Sequence, residues 1–405
     1  MKGVIYHNAK WVYPISRPPI ENGVIAIRDH RIIDIGSKSD FRLCVSDKII
    51  DHGDVAILPS LVNTHTHLEI SALQGKFGKD MDFVEWLYLL LEERKKLDQD
   101  DVSQGIAHGI NMAIAHGTGL IADISNTGMS IEHLKNSFIK SVIFIEVIGL
   151  HLKTANIYLE RYKNLQTKGT DNTTIAIAGH APYSVAPKIL KKIFDSTKQG
   201  YPRASIHLAE SRHESDFLMG KGDLLAFMNN LGFMDKKGWV SPGKSPVAYL
   251  DDLDCLTKET LCVHMVNVSD ADMEILANKK PLISLCPRSN KTLQAGRPPI
   301  EKFLNLGLIV TLGTDSLASN NELSIFKEMA ELKRIAPDIP SYEIIKMATI
   351  NGAIALNMEN SMGSIDPGKS DLLIALPVES QHPKELYEEI VSEGHKKDIK
   401  WIASA

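Results

Sequence analysis

The stretch Leu58-Pro59-Ser60-Leu61-Val62-Asn63-Thr64-His65-Thr66-His67-Leu68-Glu69 decides how this chain is read. Its apolar start and alternating finish predict a strand. Successive strand side chains point to opposite faces, so His65 and His67 share one face, about 7 Å apart along the backbone, and both imidazoles can converge on one ion. The same stretch marks a change of texture. From Leu58 to Asn357, apolar runs (Leu120–Ile124, Val142–Ile148, Thr174–Ala178, Ala204–Leu208, Thr260–Val263, Leu282–Leu285, Leu308–Leu312) alternate with helical patterns such as Phe83–Lys96, Val102–His116, Pro187–Thr197 and Ser324–Ile335. Strands alternating with helices predict βα units and a parallel sheet, and up to eight of them over this length fit a (β/α)8 TIM barrel.

Before it, residues 1–57 read as short β-segments: Gly3–Tyr6, Ala9–Val12, Gly23–Arg28 and Arg31–Gly36. After it, Gly363–Gly368 leads into an apolar run, Asp371–Leu376, which reads as a strand returning to the N-terminal ones. The expected fold is therefore α/β, a barrel over 58–357 with a small β-sandwich domain built from 1–57 and 358–405. The tail 377–405 reads as polar and helical.

Composition narrows the function. The chain has 405 residues, 43% hydrophobic, with 45 Lys+Arg against 50 Asp+Glu and a net charge of -5. That apolar content excludes disorder, and the charge offers no basic footprint for nucleic acid or a membrane surface. No apolar run approaches the ~18 residues of a membrane span, and the N-terminus lacks a secretory h-region, which predicts a cytosolic enzyme. Cys44, Cys255, Cys262 and Cys286 have no CxxC spacing and read as buried free thiols. Gly238–Ser245 and Gly363–Ser370 match a phosphate-loop pattern, but neither follows a strand and opens a helix, so neither is read as a nucleotide site. Gly117-Thr118-Gly119 reads as a turn before a strand.

Other polar residues fall at the ends of predicted strands, where a barrel gathers its reactive groups. His207 and Glu210 close one run, His264 another, Asp315 a third, and His180 follows Thr174–Ala178. Polar groups buried at equivalent points of separate βα units are costly unless paired or metal-bound.

At these residues the sequence resembles the metal-dependent amidohydrolase superfamily. Within it the chain is similar to the aminohydrolase branch that holds S-adenosylhomocysteine/methylthioadenosine deaminase, aminodeoxyfutalosine deaminase, guanine deaminase and chlorotriazine hydrolases. The resemblance runs from Asn8 to about Ile374 and rests on the 58–67 stretch, Phe83-Val84-Glu85-Trp86-Leu87, His180-Ala181-Pro182-Tyr183-Ser184-Val185, His207-Leu208-Ala209-Glu210-Ser211, Cys286-Pro287-Arg288-Ser289-Asn290 and Gly313-Thr314-Asp315-Ser316.

It implies that His65, His67, His207 and Asp315 hold one divalent ion, Zn²⁺ or Fe²⁺, since nothing resembles the bridging lysine of binuclear relatives. An open position on such an ion takes a water whose pKa falls toward ~7. Glu210 would then shuttle protons, His264 would stabilise the reacting oxygen, and Asp315 would accept the water's proton. For the substrate, the resemblance implies His180 as a donor to the heterocycle, Trp86 as a flat wall, Glu92 or Glu93 on ribose hydroxyls, and Arg288 at the mouth. His7, His30, His108, His116, His151, His213, His382 and His395 take surface or helix positions by default.

The leading expectation is hydrolytic deamination of an aminated purine nucleoside, a 5′-substituted adenosine with aminodeoxyfutalosine as a candidate. Pro287-Arg288 and the absence of a clear arginine pair depart from the homocysteine-nucleoside deaminases, leaving a neutral or differently charged 5′ group. Two alternatives stand beside it: a chlorohydrolase or other amidohydrolase acting on a triazine or cyclic amidine, and a non-catalytic metal-binding relative. The expected partner is a small molecule, with no nucleic acid or membrane, and the expected assembly a homodimer.

Overall fold

A computed structural model describes residues 3–41, 48–78, 81–197, 203–234 and 240–402. Cys44 and the start of the Gly238–Ser245 pattern lie outside the described residues. Strands β1 (Ile5–Val12), β2 (Ile20–Arg28), β3 (Arg31–Ser37), β4 (Lys48–Asp51) and β5 (Val55–Pro59) come first. Eight more follow: β6 (Leu61–Thr66), β7 (Thr118–Ser125), β8 (Lys140–Val147), β9 (Thr173–Gly179), β10 (Ala204–Leu208), β11 (Thr260–His264), β12 (Leu282–Leu285) and β13 (Val310–Leu312). They form one sheet in chain order, the nearly closed TIM-like barrel expected from the alternation.

Strands β7, β10, β11, β12 and β13 are buried along their whole length, as strands covered on both faces must be. That is why they read as near-continuous apolar runs. Between β6 and β13 the gap is bridged by the backbone N–H groups of Thr314 and Asp315, which both donate to His65 O. Thr64 Oγ1 contributes on the inside, meeting Ser284 Oγ at 2.7 Å, Thr311 Oγ1 at 2.8 Å and Leu312 O at 2.9 Å. Gly313 permits the approach. A Cβ there would lie 2.7 Å from His65 Cβ, so any side chain would push the first and last strands apart.

Helix starts follow their local chemistry. Asp82 accepts from Val84 N ahead of Phe83–Arg94, and Ser269 and Asp272 form a capping box ahead of Asp270–Lys279. Pro187–Thr197 has the bounds its periodicity predicted. Gly117 adopts φ 78° in the turn before β7, as read from Gly117-Thr118-Gly119.

Strands β14 (Leu373–Pro377) and β15 (Lys400–Ile402) join β1–β5 in a second sheet, ordered β15-β14-β5-β1-β2-β3, with β4 pairing β1. The segments Gly3–Tyr6 and Ala9–Val12 are one strand, because His7 and Asn8 keep the ladder by pairing with Ile25 and Val24. The tail is helical over Pro383–Glu393 but ends in β15, whose Ile402 is buried, so a helix alone does not describe it. Gly363–Ser370 leads into β14, and Gly368 N donates to Ile32 O, the wrong setting for a phosphate loop.

The chain divides into two compact units, Met1–Asn63 with Ala113–Leu120 and Ser324–Ala405, and Thr64–Met112 with Ile121–Leu323. All the strand-end residues singled out above lie in the second. No helix of the described residues is long and apolar enough to cross a membrane.

Candidate metal centre and the cavity beside it

His65 occupies the next-to-last position of β6 and is fully buried, and His67 follows the strand directly. Their Nε2 atoms lie 3.2 Å apart, and His67 Nε2 is again 3.2 Å from His207 Nε2 at the end of β10. Asp315 Oδ1 lies 3.7 Å from His65 Nε2 and 3.6 Å from His67 Nε2. The structure thus brings together all four residues nominated as ligands.

The tautomers show what this cluster can hold. His207 Nδ1 is 2.7 Å from His180 O, a carbonyl that only accepts, so Nδ1 carries the proton and Nε2 presents a lone pair. Burial, reinforced by neighbouring imidazoles, holds the pKa values of His65 and His207 below the usual histidine value, which keeps the rings neutral. For Asp315, burial alone would raise the pKa. The adjacent His67 and His264 and the hydrogen bond from Ser289 outweigh it and hold the carboxyl below the usual carboxylate value. Ser289 Oγ at 2.6 Å and Ser319 Oγ at 2.8 Å both donate to Oδ2, leaving Oδ1 toward the histidines. A single shared proton can serve one of the N···N contacts, whereas a divalent cation serves three imidazoles and a carboxylate at once. The donor set fits such an ion.

Around it stand the other strand-end residues. His264 is buried at φ 73° and Asp315 at φ 60°, left-handed backbone unusual for residues with a Cβ. His264 Nδ1 meets Asn290 Oδ1 at 2.9 Å, and its Nε2 lies 3.5 Å from Glu210 Oε1. Burial pushes Glu210 up to about 7, with the neighbouring His207 opposing and the Asp315 carboxylate adding. Such a carboxyl can hold or release a proton near neutrality. Its loop is braced by Glu214, wholly buried, whose Oε2 accepts from Glu210 N at 2.9 Å.

A cavity of about 380 Å³ opens beside this cluster. His67, His207, Glu210, His264, Asp315, His180 and Trp86 all line it. Trp86 is held by its indole N–H, which donates to Ala318 O at 3.2 Å. His180 Nδ1 lies 2.6 Å from Ser184 Oγ, itself 3.2 Å from Ala181 O. If both contacts form at once, Nδ1 donates and Nε2 accepts. The donor role expected for His180 requires the Ser184 proton to turn to Nδ1.

Three nominated substrate residues do not reach the cavity. Glu92, which is exposed, pairs with Lys95 at 2.7 Å, Glu93 pairs with Lys96 at 2.5 Å, and Arg288 bonds Asn321 Oδ1 and Glu322 O. The cavity is lined instead by Arg94, Asn126 and Glu146, none of which belongs to a motif. Arg94 follows Leu90 by four and Leu91 by three, so the helical period of the apolar face pointed to it. Among the default histidines, His7 is a correction: it is a strand residue, buried, with Nδ1 3.0 Å from His52 Nε2. His213 is also buried, on Asp82 at 2.9 Å, within a helix.

Comparison with known proteins gives the family and the fold. A 5-methylthioadenosine/S-adenosylhomocysteine deaminase of Moorella thermoacetica is 29% identical over 389 residues, covering 92% of this chain and 85% of its own. The structure of Helicobacter pylori aminofutalosine deaminase, in complex with methylthio-coformycin, superposes with a TM-score of 0.85 at 22% identity, covering 97% of each chain. That of an adenosine deaminase from Xanthomonas campestris, with bound zinc, superposes with a TM-score of 0.83 at 22% identity, covering 96% of this chain and 88% of its own. The two structures share the fold. Residues 56–400 match the amidohydrolase family across the whole barrel and strand β14, and this chain belongs to that family.

Proposed function

We propose that the protein is a metal-dependent hydrolytic deaminase of an aminated purine nucleoside, a 5′-substituted adenosine, with aminodeoxyfutalosine and methylthioadenosine as the first candidates. The observation that carries the reading is the placement of Glu210, a buried carboxyl poised near neutrality, 3.5 Å from His264 and on the same cavity wall as the convergent donors. The names of the relatives support the same substrate class.

His65, His67, His207 and Asp315 would hold one divalent ion, Zn²⁺ or Fe²⁺, which when bound supplies the Lewis acidity that makes water nucleophilic at neutral pH. Asp315, kept ionised and steadied by Ser289 and Ser319, accepts a proton from the attacking water. Glu210 delivers a proton to the ring nitrogen next to the amine-bearing carbon, the proton taken up by Asp315 passes to the amine as its C–N bond breaks, and the added hydroxyl returns a proton to Glu210, so that water and the aminopurine become the oxo-purine and ammonia. His264, oriented by Asn290, faces the oxygen that adds to the ring. Trp86 walls the ring and excludes water from one side, and His180 meets the heterocycle. The reading also takes the barrel 58–357 as the catalytic domain, the ends 1–57 and 358–405 as the small β-domain, a cytosolic location and a homodimeric assembly.

The test is ammonia release by metal-loaded protein from adenosine, methylthioadenosine, S-adenosylhomocysteine, aminodeoxyfutalosine and guanine, beside chlorotriazines. Turnover of at least one 5′-substituted adenosine is expected. Chloride release from triazines with no ammonia from any aminopurine overturns the reading.

A further inference from the structure

One buried carboxyl near the site has a hydrogen-bonding pattern that its own helix does not account for. Glu214 is wholly buried at the third position of the helix Arg212–Leu218. Ser211 and Glu214 have the spacing of a capping box, in which hydroxyl and carboxyl each meet the other residue's backbone N–H. The structure departs from that pattern. Ser211 makes no side-chain cap bond and its Oγ has no partner. Glu214 Oε2 reaches past it to Glu210 N at 2.9 Å, with the N–H of Ala209 as a second donor. The carboxyl serves the turn that carries Glu210 and not the start of its own helix.

That turn is held from two sides. Ala209 adopts φ 52°, left-handed backbone that swings the chain out of β10. Its carbonyl accepts from Val266 N at 2.9 Å and Asn267 N at 2.8 Å, and Glu210 O accepts from Asn267 Nδ2 at 3.4 Å. The segment after His264 thus holds the carbonyls, and Glu214 holds the N–H groups. With both sides fixed, the Glu210 carboxyl is delivered to the cavity wall, 3.5 Å from His264 Nε2. Without the acceptor, two buried N–H groups are unmet, and the turn relieves that cost by rotating, which moves Glu210.

Glu214 Oε1 has no hydrogen-bond partner. A buried carboxylate with one oxygen unmet is less stable than the acid, and burial, with the Glu210 carboxyl adding, pushes Glu214 up to about 8. The neutral form keeps Oε2 as a carbonyl acceptor and sets no second negative charge beside Glu210.

Resting on the deaminase reading, we infer that Glu214 is a positioning residue for Glu210: a neutral acceptor for the N–H groups of Ala209 and Glu210 that aims the Glu210 carboxyl at the reacting ring and touches no substrate itself.

The test compares Glu214→Leu, which removes the acceptor, with Glu214→Gln, which keeps it and cannot ionise. On metal-loaded protein with methylthioadenosine, Glu214→Leu should retain the ion and lower kcat about 10²-fold, the cost of a misplacement on the order of 1 Å, with KM within about threefold of wild type. Glu214→Gln should recover kcat to within about threefold of wild type. In a Glu210→Gln background, Glu214→Leu should cost less than about threefold, because the group it positions is gone. Should Glu214→Leu not fold, Glu214→Asp, whose carboxyl falls one methylene short, takes its place in the same cycle with the same expected pattern. An equal penalty in both backgrounds, a loss carried by KM, or a Glu214→Gln as slow as Glu214→Leu overturns the assignment while leaving the deaminase reading intact. A wild type that deaminates no purine nucleoside overturns both.

Discussion

Two close-packed histidine groups in this molecule look alike at first and differ in what they can do. In the small sheet, His7 Nδ1 and His52 Nε2 lie 3.0 Å apart with stacked rings. At the barrel end, His67 Nε2 lies 3.2 Å from two other Nε2 atoms. The first contact is one nitrogen facing one nitrogen, and a single N–H···N hydrogen bond satisfies it. The second is three nitrogens facing one point beside a carboxylate, with His207 already committed through Nδ1 to a carbonyl. A proton cannot satisfy that set, and a divalent cation can. Convergence of lone pairs, not the abundance of 15 histidines, separates a candidate metal centre from a packed pair.

The largest expected effect falls on the barrel group. His207→Asn should reduce the metal bound per chain from about one toward none and lower turnover on the order of 10³-fold or more, several kcal/mol of barrier. Metal analysis and ammonia release check it together, and a variant that keeps both its ion and its rate removes His207 from the centre. Next comes Glu210→Gln, which should retain the ion and lower kcat by ~10²–10⁴-fold, the usual worth of a positioned acid or base. Near-normal turnover in that variant would take the proton-shuttle role from Glu210.

The smallest effect belongs to the small-sheet pair. His7→Gln should leave turnover within about twofold of wild type, because its contacts serve only the sheet. It should change the acid limb of stability instead. Burial, then the charge of His52, lowers the folded-state pKa of His7 from 6.5 to about 4. Above pH 6.5 the ring is neutral in both states. As pH falls from 6.5 toward 4, the unfolded chain takes up a proton that the folded chain resists, so stability falls with pH across that window. The urea midpoint of wild type should therefore drop more between pH 7 and pH 5 than that of His7→Gln. Equal drops would show that His7 titrates normally.

The barrel was legible because its strands are buried on both faces and read as apolar runs, and because His65, His67, His207, His264 and Asp315 stand where those runs stop. Glu146 was not legible for the opposite reason. It sits inside a run, where one acidic residue among Val and Ile looks like an interruption, and only its neighbour Asn126 from another loop gives it a direction. Glu92 and Glu93 were nominated by the family resemblance and not by the helical period. The cavity face is centred on Leu87, Leu90 and Leu91, and that centre selects Arg94. The tail's strand β15 escaped because three residues, Lys400–Ile402, are too short for a period to show.

The central claim is that the convergent donors hold a divalent ion and, with Glu210, remove ammonia from an aminated purine. The rate of ammonia release from methylthioadenosine, followed in one preparation as loaded, after chelation and after Zn²⁺ is returned, addresses it most directly. The expected result is a fall on the order of 10³-fold on chelation and recovery with about one ion per chain. Release that persists unchanged in stripped protein shown to be folded, or that never appears in the loaded one, overturns the claim.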